Sequence, residues 1–312
     1  MVINLNKLDV KFYNLIRGFK ILDKEVILDN IKDTYLNVSD VNKKAIEKFL
    51  ATFGYWGSLD YENNDFTELE KRCNVLKMHA DDFLWLYKNL GDYRSKQVLF
   101  GILNYWYNND FNELGKSREE NYNQYFDLDL IKPKYNATYV DIGAYTGDTI
   151  INYINTFIKY KKIYAYEVTD ESIKIMQENL KEYPNIIFKK KAVMDTNLEV
   201  FINDNVSSTS ANTVGTVGDK KVLSVTLDKD IKEAVDIIKM DIEGSEYGAL
   251  KGAINHIKND TPILSIAVYH NHNDLYKLPK FINSINENYK FYLRYFGNRY
   301  YPTEVVLIAI PK

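Results

Sequence analysis

The sequence has few of the residues that form covalent or metal cross-links. Cys73 is the only cysteine among 312 residues, and there are four histidines. A single thiol excludes a disulfide within the chain, and so small a set of soft ligands argues against a structural zinc site. The apolar content of 46% is that of an ordinary globular protein.

Charge of one sign and long apolar runs are also lacking. Forty basic residues against 43 acidic ones leave a formal net charge of -3, which offers a polyanion little attraction, so a nucleic-acid partner is disfavoured. No apolar run approaches the roughly 20 residues of a membrane span. Charges are scattered through the amino-terminal stretch MVINLNKLDVKFYNLIRGFK, where a signal peptide would have an apolar core. We therefore expect no membrane span and a cytoplasmic location.

The length suits about two domains, and the pattern of the sequence changes once. Up to about residue 120, apolar positions recur at helical spacing, for example at Ala45, Phe49 and Phe53. All three tryptophans lie in this part, as expected for aromatic anchors of a core. We predict a mainly helical N-terminal domain over residues 1–123 and a second domain over 124–312.

In the second part, short β-branched runs alternate with amphipathic helical patterns, which is typical of an α/β fold with a parallel sheet. The predicted strands include TYVDIG, KIYAYE, NIIFKKKAV, VDIIKMDI and ILSIAVYH, and the helices between them make the sheet doubly wound. The last strands, KFYLRYFG and EVVLIAIPK, are joined by a loop too short for a crossover helix, so they must pair antiparallel. The polar segment 205–219 is predicted to be a surface loop, either a lid or disordered.

Four acidic residues stand at the ends of predicted strands, where doubly wound sheets bind ligands. Asp141 ends the first strand, Glu167 ends the second, and Asp241 with Glu243 ends the fourth parallel strand. Any one of them could be a helix cap, but four converging on one crevice favour a joint functional role.

The loop after the first strand, Gly143-Ala144-Tyr145-Thr146-Gly147, lacks the spacing of a dinucleotide site. That site needs G-x-G-x-x-G, but Tyr145 occupies the second glycine position, and the carboxylates of Asp141 and Asp148 would repel a diphosphate. S-adenosylmethionine has an ammonium, a sulfonium and a ribose diol but no phosphate. Asp141 can therefore serve the ammonium side and Glu167 the ribose hydroxyls, with Tyr145 and Asp148 beside them. Glu167 alone does not discriminate, because dinucleotide enzymes also place an acid about 20 residues past this loop.

These segments resemble the FkbM family of methyltransferases. The similarity rests on YVDIGAYTGDT, IYAYEV, DIIKMDIEGSEYGALKGA, ILSIAVYHNHNDL and EVVLIAI, and it extends from about residue 90 to the end, including QYFDLDLI. It implies a class I methyltransferase fold, S-adenosylmethionine as cofactor, and O-methylation of a sugar or another metabolite hydroxyl. It further implies cofactor roles for Asp141, Gly143, Gly147 and Glu167, adenine packing at Ala192 and Val193, and a position for Asp241 where the methionine end meets the acceptor.

Methyl transfer to oxygen needs a base, and two residues are candidates. His270, at the end of the fifth predicted strand, has a reference pKa of about 6.5 that suits proton removal near neutrality. Asp241 is the other candidate, and His272 ranks below both. The predicted acceptor-binding residues are Glu243, Glu246 and Arg294, although the helix dipole equally explains Glu246.

Other interpretations remain open at this point. Asp241, Glu243, His270 and His272 could together bind a divalent ion, but their spacing matches no closed site, so no metal is predicted. A nicotinamide-dependent sugar oxidoreductase or epimerase would share the sheet and Glu167, and a non-catalytic binding module would share the whole fold. The helical segment could recognise the small-molecule or glycan acceptor, cover the cofactor or form a homodimer.

Overall fold

The computed structural model describes residues 6–132, 134–203, 213–215, 218, 220–298 and 300–312. Most of the predicted polar loop at 205–219 lies outside these residues, so its assignment as a lid or a disordered segment stays a prediction. Within the described part, no helix combines the length and the apolarity that a bilayer crossing requires.

The described chain begins with helices, and strands enter only from Ala137 onward. The helices α1–α12 span Lys7–Ile21, Lys24–Leu36, Asp40–Phe53, Thr67–Met78, Ala80–Asn89, Tyr93–Asn108, Asn112–Gly115, Asp148–Phe157, Asp170–Asn179, Leu227–Asp230, Glu246–Lys251 and Asp274–Ile285. The strands β1–β11 span Ala137–Ile142, Tyr160–Glu167, Ile186–Lys190, Ala192–Val193, Glu199–Asn203, Thr213–Gly215, Lys220–Val225, Ile237–Met240, Ile263–Ala267, Tyr289–Tyr295 and Val305–Pro311. One π-helical turn covers His256–Asp260.

The chain forms two compact units. The helical unit contains the residues up to Glu120 together with Val268–Lys280 and Phe291–Val306, and the sheet unit contains Asn121–Ala267, Phe281–Lys290 and Leu307–Lys312. These units are defined by contacts between residues, so the contiguous division into domains 1–123 and 124–312 stays a prediction about independent folding.

The helical unit begins with a capped amphipathic helix. Asn6 accepts a hydrogen bond from the Asp9 amide at 2.9 Å, and the Asp9 carboxylate accepts one from the Asn6 amide at 3.3 Å, which completes a capping box. Phe12, Ile16 and Phe19 then recur at helical spacing and are buried. The same periodicity produces α3, which contains the predicted apolar positions at 45, 49 and 53.

A buried polar network lies inside the helical unit. Both Glu68 and Arg72 are 0% exposed, and Arg72 Nε donates to the two Glu68 oxygens at 2.8 and 2.7 Å. His272 Nε2 lies 3.2 Å from Glu68 Oε1, and the Tyr301 hydroxyl donates to the same oxygen. Arg72 also donates to Asn109 Oδ1 at 2.9 Å, so these buried charges meet polar partners on several sides.

The sheet unit is built on strands that are buried on both faces. All six residues of β1 and all four of β8 are buried, as expected for central strands of a doubly wound sheet. The main sheet has seven strands in the order β10-β11-β9-β8-β1-β2-β3. The pairs β1–β2, β2–β3, β1–β8 and β8–β9 are parallel. The two final strands are neighbours, which confirms the predicted closing hairpin.

Two details of the predicted secondary structure are wrong. The run NIIFKKKAV is divided at Lys191, because Ala192–Val193 leave the main sheet and pair with β7 in a second sheet of order β4-β7-β5-β6. The strand ILSIAVYH ends at Ala267, so His270 lies in the loop that follows rather than at a strand end.

The buried network in the helical unit leads to a prediction about stability and pH. Burial opposes ionisation of Glu68, but Arg72 and His272 outweigh it and lower the pKa of this carboxyl from 4.5 to about 2. A carboxyl with a depressed pKa stabilises the fold at neutral pH, and this contribution is lost as the pH falls through that interval. We expect Glu68→Gln to reduce the free energy of unfolding by about 3–5 kcal/mol at pH 7, because Arg72 keeps a buried charge without its partner.

Urea unfolding at several pH values tests this prediction. The difference between wild type and Glu68→Gln should shrink as the pH approaches about 2, because Glu68 of the wild type is then neutral as well. Glu70 lies on the same helix and is exposed, so Glu70→Gln should stay within about 0.5 kcal/mol of wild type throughout. A Glu68→Gln difference that does not vary with pH would contradict the assignment.

Candidate active site

A cleft of about 620 Å³ lies in the sheet unit at the carboxyl ends of β1, β2 and β8. Loops at this edge meet because the strands are parallel, which is where doubly wound sheets bind ligands. The cleft is lined by Ile142, Gly143, Tyr145, Tyr166, Glu167, Val168, Lys191, Ala192, Val193, Met194, Asp241, Ile242, Glu243 and Ser245.

The first loop of the cleft is held by its own backbone. The amides of Gly143 and Ala144 both donate to the Tyr166 carbonyl, at 3.0 and 2.9 Å. Gly143 has a φ of +80°, and a Cβ atom there would lie 1.9 Å from the Asp241 carbonyl oxygen. Only glycine satisfies both constraints. The predicted glycine therefore lets the loop after β1 approach the end of β8.

Beneath this loop lies a buried ion pair. Lys239 Nζ is 3.0 Å from Asp141 Oδ1 and donates to the Gly143 carbonyl at 2.7 Å. The Tyr139 hydroxyl donates to the other Asp141 oxygen at 3.0 Å. Burial lowers the pKa of Lys239, but Asp141 and Asp241 outweigh this effect and raise it, so the lysine is a cation. Asp141 is thus neutralised within the protein, and it is 0% exposed.

Glu167 forms the second side of the cleft. Its Oε1 atom accepts hydrogen bonds from the amides of Val168 and Thr169 at 2.8 and 2.9 Å, and its Oε2 atom accepts one from the Tyr145 amide at 3.1 Å. These bonds orient the carboxylate. Because a carboxylate has about four acceptor positions, Oε2 can still accept a hydroxyl donor from a ligand.

The third side of the cleft is formed by the residues after β8. Asp241 and Glu243 both line it, and Asp241 Oδ2 accepts a hydrogen bond from the Tyr125 hydroxyl at 2.6 Å. Glu243 has a φ of +56° and Tyr145, across the cleft, a φ of +45°. Non-glycine residues in this region are uncommon and cluster at functional sites.

The remaining side is apolar. Ala192 packs against Ile202 and Val222 of the second sheet, with Met194 and Val168 beside them. This surface lies in the predicted adenine region, and it exists because β4 leaves the main sheet to pair with β7.

Seven of the predicted site residues meet at this cleft: Gly143, Tyr145, Glu167, Ala192, Val193, Asp241 and Glu243. Four others in the sheet unit have different surroundings, and the first of them is Asp141, which is paired with Lys239. Gly147, with a φ of +84°, starts α8 against Leu180, and Asp148 is exposed in the first turn of that helix. Glu246 is 0% exposed, and its carboxylate accepts a hydrogen bond from the Ile242 amide at 3.0 Å. This bond explains Glu246 structurally.

Three predicted residues belong to the helical unit. His270 is 1% exposed, and its ring meets the Tyr55 ring edge-on with centroids 5.5 Å apart. Arg294 is buried as well and donates to Asp92 Oδ2 at 2.8 Å and to Ser95 Oγ at 3.1 Å. His272 takes part in the Glu68 network. The roles of His270 as base and Arg294 as acceptor ligand stay predictions.

Sequence reasoning missed the two residues that hold the aspartates of the site, Lys239 and Tyr125. Lys239 had a visible signal, because it interrupts the apolar run VDIIKMDI, and a lysine inside a buried strand needs a carboxylate partner. Tyr125 is separated from Asp241 by more than a hundred residues, and a single sequence has no periodicity that connects them.

Comparison with known proteins identifies the family. The model of the methyltransferase FkbM domain matches residues 141–300, which is just over half of the chain. The chain belongs to the FkbM methyltransferase family. No curated protein matches the sequence significantly.

One solved structure shows the same fold for this FkbM protein, and two others have a lower similarity. The methyltransferase FkbM from Methylobacillus flagellatus is 24% identical with a TM-score of 0.69, and the match covers 85% of this chain and 66% of that chain. The chain therefore spans slightly less than two thirds of that relative. An rRNA methylase from Streptococcus thermophilus matches at 11% identity and a TM-score of 0.38, over 58% of this chain and 89% of its own. Fibrillarin from Aeropyrum pernix, with bound S-adenosylmethionine, matches at 12% identity and a TM-score of 0.38. That match covers 57% of this chain and 67% of the fibrillarin chain.

The close approach at Gly143 leads to a prediction for the FkbM domain. We expect Gly143→Ala to lower the free energy of unfolding by about 2–5 kcal/mol, because the new methyl group meets a carbonyl oxygen at a positive φ. Gly248 offers a matched control, since a Cβ atom there meets nothing within 4 Å. Gly248→Ala, inside α11, should be neutral or stabilising by up to about 1 kcal/mol. Urea unfolding measures both, and equal effects would contradict the packing role of Gly143.

Proposed function

We propose that this protein is an S-adenosylmethionine-dependent O-methyltransferase that acts on a hydroxyl of a sugar, glycan or related small molecule. The observation that carries the proposal is the cleft, which combines the carboxylates of Glu167, Asp241 and Glu243 with an apolar side at Ala192 and Val193. A ligand for such a cleft is cationic or rich in hydroxyl groups at one end and apolar at the other.

S-adenosylmethionine fits this set of side chains. Glu167, already oriented by three amides, can accept the ribose hydroxyls, and Ala192, Val193 and Met194 offer an apolar surface to the adenine. Asp241 can face the ammonium end. Asp141 is engaged with Lys239, so its contribution is to hold the Gly143 carbonyl through that lysine rather than to meet the cofactor. Family membership supports the same cofactor.

The acceptor class follows from the resemblance and from the remaining carboxylates. When bound, the cofactor supplies an electrophilic methyl group on its sulfonium. The attacking hydroxyl must give up its proton, which Asp241 can accept at the cleft, and Glu243 can accept hydrogen bonds from other hydroxyls of a sugar. His270 is the second candidate base. The net charge of -3 favours a small molecule or glycan over a nucleic acid.

Calorimetry with S-adenosylhomocysteine tests the cofactor. We expect the wild type to bind it and Glu167→Ala to weaken binding by about 10–100-fold, because hydrogen bonds to a charged acceptor are lost. Glu182 is exposed in the same unit, so Glu182→Ala should leave the affinity unchanged. Equal binding by wild type and Glu167→Ala would reject the ribose assignment. Protection against thermal unfolding by NAD alone would favour a nicotinamide enzyme.

The base is tested separately, at saturating cofactor. Screening nucleotide sugars and glycans with labelled S-adenosylmethionine would first identify an acceptor. Asp241→Asn or His270→Ala should then lower the rate of methyl transfer by about 100-fold or more, the size expected for loss of general base catalysis. If both variants keep a rate near that of wild type, neither residue is the base.

A further inference from the structure

The structure contains a buried tyrosine, Tyr125, that the proposed chemistry does not use. We propose that Tyr125 is a positioning residue: its hydroxyl holds the Asp241 carboxylate in the orientation that binds the ammonium end of the cofactor. This inference rests on the proposed function and adds to it a residue outside the strands and loops of the cleft.

The backbone of Tyr125 is the first observation. Its φ is +74°, in the left-handed region that tyrosine seldom adopts. Such strain persists only where the surroundings impose it. Here the Tyr125 carbonyl accepts a hydrogen bond from Ser265 Oγ at 2.9 Å, and Ser265 is the middle residue of β9. Tyr125 is also 95% buried, with an exposed fraction of 5%.

The side chain of Tyr125 is held at both of its ends. The ring centroid lies 5.2 Å from Lys239 Nζ, a cation–π contact in the interior of the sheet unit. The hydroxyl donates to Asp241 Oδ2 at 2.6 Å and accepts a hydrogen bond from Gln124 Nε2 at 3.2 Å. The strained backbone and these contacts direct one hydroxyl at one carboxylate, with little freedom for either group to rotate.

The charges near Asp241 explain why its carboxylate needs the hydrogen bond from Tyr125. Lys239 forms its ion pair with Asp141, which removes the charge of Asp141 from the ligand. Asp241 lines the cleft, and the Tyr125 hydroxyl donates a hydrogen bond to it. This bond fixes the orientation of a carboxylate that can face an ammonium group. Orientation before binding reduces the entropy lost when the ligand binds.

The experiment compares two ligands in calorimetry. S-adenosylhomocysteine has the amino-acid end, and 5′-methylthioadenosine has the same nucleoside without it. We expect Tyr125→Phe to weaken binding of the first by about tenfold, as for loss of a hydrogen bond to a charged group, and to leave the second within about twofold. A purely structural role would weaken both alike, so equal losses would overturn the proposal, as would no loss at all.

Tyr139 offers the matched control. It too is buried and donates its hydroxyl to a carboxylate, but that carboxylate is Asp141, which Lys239 already neutralises. Tyr139→Phe should therefore leave the ratio of the two affinities unchanged even if the fold is less stable. A change of that ratio as large as the one from Tyr125→Phe would show that the effect is not specific to Asp241.

Asp241→Asn tests the same hydrogen bond from the side of the carboxylate. This variant retains an oxygen for the tyrosine but loses the charge, so it should weaken only S-adenosylhomocysteine. Adding Tyr125→Phe to Asp241→Asn should have little further effect if the tyrosine acts through the carboxylate. Additive effects would overturn the inference. A wild type that binds neither ligand would reject the proposed function itself, whereas binding that is unchanged in Tyr125→Phe would reject only the role of Tyr125.

Discussion

The ion pair between Lys239 and Asp141 is the interaction on which the candidate site depends. These residues are direct neighbours in the register of β1 and β8, at the centre of the parallel sheet. A charge buried in that position requires a partner, and neither residue could occupy its strand without the other. Because a shift of one residue would move the two side chains to opposite faces, the pair also stabilises the register of the strands that bring the loops of the cleft together.

The consequences of this pair extend from the sheet to the cleft. Lys239 also donates a hydrogen bond to the Gly143 carbonyl, so the lysine connects the end of β8 to the loop after β1. The absence of a side chain at Gly143 allows the same two chain segments to come within contact distance. Electrostatics and steric fit thus act at one point, and the width of the cleft between the first loop and Asp241 depends on both.

The acidic residues at the strand ends have different roles although the sequence presents them alike. Asp141 is neutralised inside the protein, Glu167 is oriented by backbone amides, and Asp241 is held by a tyrosine hydroxyl. An anionic site with one neutralised member and two oriented ones suits a ligand with a single cationic end and a diol better than it suits a diphosphate. Glu246, a fifth acid in this region, accepts a hydrogen bond from the backbone of its own loop and needs no ligand to explain it.

Local patterns in the sequence were sufficient for the order of strands and helices, the glycine loop and the edge of the sheet that carries the acids. Alternation of apolar residues and the parallel connection rule depend on near neighbours, and a single sequence contains that information. The errors arose where a strand stops: ILSIAVYH remains apolar after Ala267, and the run at 185–193 remains β-prone across Lys191, so composition cannot place either end.

The sequence by itself determined the family, the α/β fold and most residues of the cleft, because the motif residues are close in the chain and strand ends meet at one edge. Only the tertiary structure decided how each carboxylate is used. Lys239 forms an ion pair with Asp141. Tyr125 donates a hydrogen bond to Asp241, which lies 116 positions further along the chain. Pairings of this kind depend on the distance between side chains in the folded protein and on the exclusion of water from them. The sequence alone specifies neither of these.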